Sequence, residues 1–383
     1  MRWRMRCSWP GAPSSAAVMA RVVTVYNTER RAAELVDMSY IRWFKMSEAL
    51  ARRGHQVDIA TAEYRWSFRK PVVEMAPNLR RVPLSRVDWS QYDVVKTLFH
   101  QGFRTLERYG GARHPFIISK LGSVVGPRDM DGIYFYGWRR RRLYAIQRRI
   151  QATCRYVTVL TAPAKELWVR CFGPRDTLLV VPGGVDRDLP PRGPDPYPDS
   201  DGPRCLFAGN LYRRGTQPEA HRALIAKLNS LGAWLRRLDE RGTARLYVLG
   251  TGDARALDSR VVTYLGVVPY TASWDYLRHA DLGVLVAAGP FMHNNESSKL
   301  YHYLRAGLPV VSEAGFPNDF LVREAGLGVV VENGDMHAMA AALLAAGERG
   351  WDREHAIRYI VVHHTWDARV ETYDRLIRRH FPG

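Results

Sequence analysis

The chain has 383 residues, 46% hydrophobic and 25% charged, which suits about two domains with real cores and argues against disorder as the overall state. Lys and Arg number 56 against 38 Asp and Glu, and the formal net charge of +18 favours anionic partners: nucleic acid, anionic lipid or phosphorylated small molecules. No uncharged apolar run reaches the roughly 18 residues of a membrane-spanning helix, and Cys7, Cys154, Cys171 and Cys205 form no C-x-x-C pair and no zinc-type spacing, which fits a reducing cytoplasm.

Residues 1–18 are basic but lack the apolar stretch of a secretory signal, so they read as a disordered extension, or as upstream of a true start at Met19. A β-rich run follows at 21–26, helical spacing at 39–53 closed by Gly54, and a second strand pattern at 56–61: a βαβ unit. Strand patterns recur at 93–98, 115–119, 156–160 and 177–181, with helices at 139–150 and 164–171. Residues 186–203 are dominated by Pro, Gly and Asp without apolar period and read as a linker. Beyond it, strand patterns at 204–208, 245–249, 261–265, 282–287, 309–312 and 328–331 alternate with helices at 218–238, 271–279, 297–305 and 336–349. A basic amphipathic helix at 365–380 ends the chain. The expected fold is α/β, two doubly wound Rossmann-like parallel-sheet domains, 19–185 and 204–364, facing each other across a cleft, with 365–383 returning to the first domain. In such sheets ligands bind beyond the carboxyl ends of the strands.

Three segments carry anion chemistry. Residues 294–311 run from a polar loop into a helix, with Ser297 and Ser298 as N-cap candidates and Lys299 in the first turn. A cation there opposes the helix dipole, and makes most sense with an anion to meet, although a surface lysine is the plainer alternative. In residues 206–215 a strand meets Gly209 and Asn210, then Arg213 and Arg214, a turn where backbone can approach a phosphate; exposed arginines on a simple turn are the competing reading. In residues 246–253 a strand ends in Gly250-Thr251-Gly252, with Arg255 breaking any full G-x-G-x-x-G pattern. The first strand ends Tyr26-Asn27-Thr28 without glycines, against an NAD site.

Together these residues resemble the GT-B glycosyltransferases of family 4, from about residue 19 to the tail and most strongly over 206–311. Residues 298–311 resemble the family's Lys-Leu-x-Glu-Tyr-Leu-Ala-x-Gly-x-Pro-Val-Val, 206–215 its diphosphate contact, 250–252 its glycine turn, and 262–269, with Tyr264 and Val268, the strand and loop that meet the nucleobase. The resemblance implies a nucleotide-diphosphate sugar donor, UDP by family habit, and retaining transfer to a cell-envelope or exopolysaccharide acceptor, glycan or lipid-linked. No cofactor and no metal are implied, since Lys299, Arg213, Arg214 and helix-start amides would stabilise the diphosphate. The sequence departs from the family in places. His302 stands where a ribose-binding glutamate is usual, Asn294 where its partner glutamate falls, with Glu296 nearby, and Asn210 where the diphosphate arginine aligns. For the family's histidine near the reacting sugar, Lys120 and His100 are the candidates.

A metal-dependent GT-A enzyme would use Asp-x-Asp; 129–131, 186–188 and 199–201 have that spacing, but in loops or the linker. A nucleotide-sugar 2-epimerase shares the two-domain plan, and the charge admits a non-enzymatic polyanion binder, although no nucleic-acid module is recognisable. The basic helix at 139–150 suits an anionic membrane surface, so the expected location is cytoplasmic, with peripheral attachment to the inner face of the membrane as an option.

Overall fold

The computed structural model describes residues 19–26, 38–61, 72–126, 137–198, 201–289, 292 and 294–382. The extension 1–18 with Cys7, the loop at 28–37, and Asp129, Asp131 and Asp199 lie outside the described residues.

The first domain runs β1 (Arg21–Val25), α1 (Met38–Arg52), β2 (Gln56–Thr61), β3 (Val73–Ala76), β4 (Leu79–Pro83), β5 (Val94–Leu98), α2 (Phe99–Arg108), β6 (Ile117–Lys120), α3 (Gly137–Thr153), β7 (Tyr156–Val159), α4 (Ala162–Phe172) and β8 (Leu178–Val180). The eight strands lie in the order β3-β4-β2-β1-β5-β6-β7-β8. All neighbours are parallel except β3 with β4. Val23 of β1 sits between Asp58 and Val95, and continuous apolar runs such as VVTV suit a strand covered on both faces. Thr161 caps α4, its hydroxyl accepting from the Ala164 amide at 3.1 Å.

The second domain runs β9 (Arg204–Ala208), α5 (Pro218–Leu238), β10 (Arg245–Leu249), β11 (Val262–Gly266), α6 (Tyr270–His279), β12 (Leu282–Leu285), α7 (Ser298–Arg305), β13 (Val310–Glu313), α8 (Phe320–Glu324), β14 (Gly328–Val331) and α9 (Met336–Glu348), then α10 (Arg353–His363) and α11 (Trp366–His380). Its six strands are all parallel, in the order β11-β10-β9-β12-β13-β14.

The chain crosses between domains twice, and the crossings touch. Val185 pairs with Thr365, the Val185 amide donating to His364 and the Trp366 amide to Val185. Helix α11 then packs on α1 of the first domain. Arg52 grips Asp367 through two bonds of 3.0 Å, His55 meets Asp374 at 2.9 Å, and Tyr373 meets Thr158 at 2.8 Å.

Residues 187–198 are irregular, as their composition predicts, but they are strapped to α6 rather than free. Arg278 donates to the Pro190 and Pro191 carbonyls, the Gly193 amide to Asp275, and the buried Tyr197 to Tyr276. Prolines carry no amide to satisfy, so such a segment can lie against a helix with few bonds. The sequence reading also missed β3 and β4, and helices α2, α8 and α10. Gly102 hid α2: a Cβ there would stand 2.5 Å from the Val25 carbonyl, so the glycine serves close packing of helix on sheet, not a break.

Candidate active site

Two connected cavities open where the strand ends of both sheets face each other. The inner one, about 490 Å³, lies in the second domain and is closed by Met38, Ser39 and Ile41 of α1. Its apolar wall is Ile41, Leu249, Val267, Val268 and Leu277; its polar floor is formed by Gly209, Asn210, Arg213, Gly250, Ser298, Lys299 and His302. The outer one, about 940 Å³, spans both domains and shares Arg213, Asn210 and Ser298 with the first.

The floor is built by two loops zipped edge to edge. The Gly209 amide donates to Leu249 at 2.7 Å, Leu211 to Thr251 at 2.7 Å, and Asp253 to Tyr212 at 2.9 Å. Gly250 has φ +144°, and a Cβ there would lie 1.9 Å from the Gly209 carbonyl. Only glycine fits. Asn210 uses its side-chain oxygen to accept from the Tyr212 amide at 2.9 Å, which holds Tyr212 at φ +62°. Gly250→Ala is therefore expected to cost about 1–3 kcal/mol in strain and to deform the floor; thermal unfolding with and without ligand checks both, and a variant that keeps wild-type stability and ligand response would contradict it.

Helix α7 starts at the same floor. Its N-cap is Ser297, whose side chain makes no capping bond; Asn318 clamps the Ser297 backbone instead, its side chain accepting from the Ser297 amide and donating to the Ser297 carbonyl, each at 2.9 Å. The Ser297 hydroxyl has no partner. The first-turn amides of Ser298 and Lys299 have no intrahelical acceptor and remain for an anion. The Lys299 ammonium lies 5.0 Å from the Phe207 ring centre and so close to Gly209 that a Cβ there would meet its chain at 2.2 Å. Among the described residues it has no acidic partner, and burial pushes it down to about 8.

His302 lines the inner pocket with both nitrogens taken. Nδ1 is 2.7 Å from the Ser298 carbonyl, which can only accept, so this nitrogen carries the proton and Nε2 accepts from the Tyr270 hydroxyl at 3.2 Å. Burial lowers its pKa further, so the ring is neutral. Arg214 and Tyr264 do not line the inner pocket. They face a shallow depression with Asp253, and the Tyr264 hydroxyl donates to Gly250 at 2.8 Å, bracing the glycine turn from behind.

His100 lines the outer cavity at the end of β5. It follows Phe99, whose φ of +56° is left-handed and costly for a non-glycine residue. The strained turn delivers the imidazole to the cleft. Its Nε2 donates to the Gln147 side-chain oxygen at 3.2 Å, leaving Nδ1 bare, and burial lowers its pKa to about 4.

Lys120 is not on a cavity wall. It lies fully buried beneath the cleft, donating to the Val181 carbonyl, and burial with the nearby Arg42 cation pushes it well below the usual lysine range. It borders a polar knot joining the domains. Glu296 accepts from Arg42 at 3.0 Å and from the Gly183 amide at 2.6 Å through one oxygen, and from Tyr301 at 3.1 Å through the other. Gly183 has no room for a side chain, since a Cβ would stand 2.3 Å from Glu296. Asn294 is buried with both side-chain polar atoms unpartnered, and Thr161 donates to its carbonyl at 2.8 Å.

The basic helix α3 also reaches the site. Ile146, Gln147 and Ile150 are buried, so its apolar side is spent on the core, while Trp138, Arg139, Arg142 and Leu143 line the outer cavity. Sequence reasoning missed this placement, and also Tyr270 and the apolar wall apart from Val268, because each depends on long-range packing. Among the described residues no group of three or more His, Cys, Asp or Glu side chains is placed to hold a metal ion, and Asp186 pairs with Lys45 at 3.3 Å. Nor is any described helix long and apolar enough to cross a membrane.

Residues 202–348 match the family model described as Glycosyl transferases group 1. No curated protein matches the sequence. Among solved structures, sucrose-phosphate synthase from Thermosynechococcus elongatus superposes with a TM-score of 0.66 at 16% identity, covering 94% of this chain and 99% of its own. WaaG, described as a glycosyltransferase involved in lipopolysaccharide biosynthesis, gives 0.61 at 15%, covering 93% and 99%. An E. coli structure described as trehalose-6-phosphate bound with UDP-2-fluoro glucose gives 0.62 at 10%, covering 94% and 99%. The likenesses establish the GT-B fold. With the family match over the second domain they define the class: this is a glycosyltransferase with that fold.

Proposed function

We propose that the protein moves a sugar from a nucleotide-diphosphate sugar, UDP-linked, to a cell-envelope or exopolysaccharide acceptor at the inner face of the membrane, with retention and without a metal. The observation that carries the donor half is the unpaired Lys299 at the start of α7, facing Gly209 beside Arg213. In this reading the nucleoside lies on the apolar wall and the diphosphate meets Lys299, Arg213 and the first-turn amides. The acceptor hydroxyl attacks the sugar's anomeric carbon as the bond to the diphosphate oxygen breaks. The electron pair leaves on the diphosphate, and the hydroxyl proton passes to a phosphate oxygen. Fixed cations stabilise that developing charge without reorganising. The UDP-2-fluoro glucose in one structural neighbour supports a UDP donor, and the lipopolysaccharide role in the name of another supports an envelope acceptor. The outer cavity, about 940 Å³ beyond the donor pocket, favours transfer over 2-epimerisation, which needs no room for an acceptor.

The test is thermal stability against UDP, GDP, ADP, CMP and dTDP. UDP at about 100 times its dissociation constant should add roughly 2.7 kcal/mol. No shift with any of the five up to millimolar would remove the donor site.

His100, neutral and with Nδ1 bare, serves as a hydrogen-bond acceptor for a sugar hydroxyl rather than as a base. His100→Ala should lower kcat about 10- to 100-fold, the worth of one buried hydrogen bond, with little change in donor KM. Its loss should add no new inflection to the pH–rate profile between pH 6 and 9 (roughly the range above its pKa). An unchanged kcat refutes the role.

A further inference from the structure

Among the described residues, the charges on the walls of the outer cavity do not balance. Its described walls carry Arg42, Arg104, Arg139, Arg142 and Arg213 against one carboxylate, Glu296. Arg42 and Glu296 neutralise each other at 3.0 Å. Arg213 also lines the inner pocket and belongs with the donor's diphosphate. Arg104, from α2, and Arg139 and Arg142, from α3, remain, with no acidic partner among the described residues. Arg149 of the same helix, by contrast, pairs with Glu107 at 2.6 Å, as Arg255 does with Asp253 and Arg260 with Asp258, each at 2.7 Å. Helices α2 and α3 pack together, so the three guanidinium groups share the first-domain wall, across the cavity from Arg213. Trp138, 65% exposed, stands on the same wall with the Arg139 guanidinium 5.7 Å from its ring.

Arg104, Arg139 and Arg142 are solvent-exposed, and like charges gathered along one wall of a concave site repel one another and focus a field that an anion relieves. Guanidinium groups match phosphate geometry with paired donors, and a flat indole suits the apolar face of a sugar ring. We infer that the acceptor is itself phosphorylated: Arg104, Arg139 and Arg142 hold a phosphate that stays on the acceptor throughout, with its sugar against Trp138. The inference rests on the reading of this cleft as a sugar-transfer site. The phosphate belongs to a soluble sugar phosphate or to a lipid-linked one, and the chemistry that recognises it is the same.

The experiment titrates glucose 6-phosphate, glucose and inorganic phosphate into the full chain saturated with its stabilising nucleoside diphosphate. A parallel arm measures cosedimentation with phosphatidylcholine vesicles, with and without phosphatidic acid. Both arms compare wild type, Arg104→Gln with Arg142→Gln, and Arg148→Gln, an exposed position of the same helix outside the cavity. Glucose 6-phosphate should bind about tenfold or more tighter than glucose, compete with inorganic phosphate, and lose that advantage in the double variant but not in Arg148→Gln. If instead phosphatidic acid vesicles are bound with that same dependence on the arginine pair, the phosphate is lipid-borne and the inference stands. Equal affinity for glucose and its phosphate, binding unaltered by the double variant, or no binding in either arm overturns it. The nucleotide shift is read in the same samples, so loss of the donor reading shows separately as a missing UDP response.

Discussion

Lys299→Ala loses most of the thermal stabilisation that UDP gives the wild type, and its affinity for UDP falls by roughly 10²-fold or more, as expected for a buried charge-assisted contact of about 3 kcal/mol. The free protein should lose little stability, because Lys299 has no acidic partner among the described residues and burial already works against its charge, holding it at about 8. The same displacement predicts a pH dependence. A bound diphosphate favours the ammonium and raises this pKa, so above about pH 8 binding must take up a proton, and affinity falls by up to about tenfold per pH unit. Below pH 8 the lysine is already charged and affinity is flat until the nucleotide's own phosphate begins to protonate. Titrating UDP at pH 7, 8 and 9 checks the slope, and Lys299→Ala should be weak at every pH with the slope gone. His302, pushed below the ordinary histidine value by burial, stays neutral over this window and does not imitate the effect. A variant that binds UDP like the wild type would move the diphosphate away from α7.

The part of this site that depends on local chemistry could be read from the chain. The lysine after two serines carries its reason within a few residues, as a cation at the wrong end of a helix, and the glycines at 209 and 250 were legible as turns, although what excludes a Cβ there is Lys299 and the Gly209 carbonyl, far along the chain. The central strands were legible likewise, because β1, β5 and β12 are β-rich runs buried on both faces. Legibility ended where long-range contacts decide. β4 carries arginines that suggest a loop, yet Arg80 is satisfied by a bidentate pair with the buried Asp58 at 2.7 and 2.8 Å. Residues 186–203 look like a free tether, yet Tyr197 is buried on the second domain. Glu296 reads as a displaced ribose ligand, but its oxygens hold Arg42, 254 positions away, and the Gly183 amide. Lys120 reads as a cleft residue; it sits at the end of β6, but turned beneath the cleft towards Val181. Sequence spacing says which strand end a side chain occupies, and packing says which way it faces.

The knot around Glu296 yields the second large effect. Removing this carboxylate leaves Arg42, buried to 7% exposure with its Nε already unpartnered, without its counter-ion, and withdraws the nearest negative charge from Lys120. It also strands the Gly183 amide and the Tyr301 hydroxyl, which both donate to it. Breaking a buried ion pair from one side costs about 3–5 kcal/mol. Glu296→Ala should therefore lower Tm by roughly 4–6 °C, from the usual unfolding entropy per residue in a chain of this length. Replacing both partners with apolar groups behaves differently, because no lone charge stays buried. Arg42→Met with Glu296→Leu should be less destabilising than Glu296→Ala alone, a non-additivity of at least about 1 kcal/mol. The pair bridges α1 of the first domain to the loop before α7 of the second, so Glu296→Ala should also loosen the cleft. Amide exchange should quicken at 183–186 and 363–366, the two crossings, before it quickens in the strands of either sheet. If Tm is unmoved, or the two substitutions simply add, the ion pair does not hold the domains together. Glu296 would then be free to act as a ligand for the sugar donor, as its place in the sequence motif first suggested.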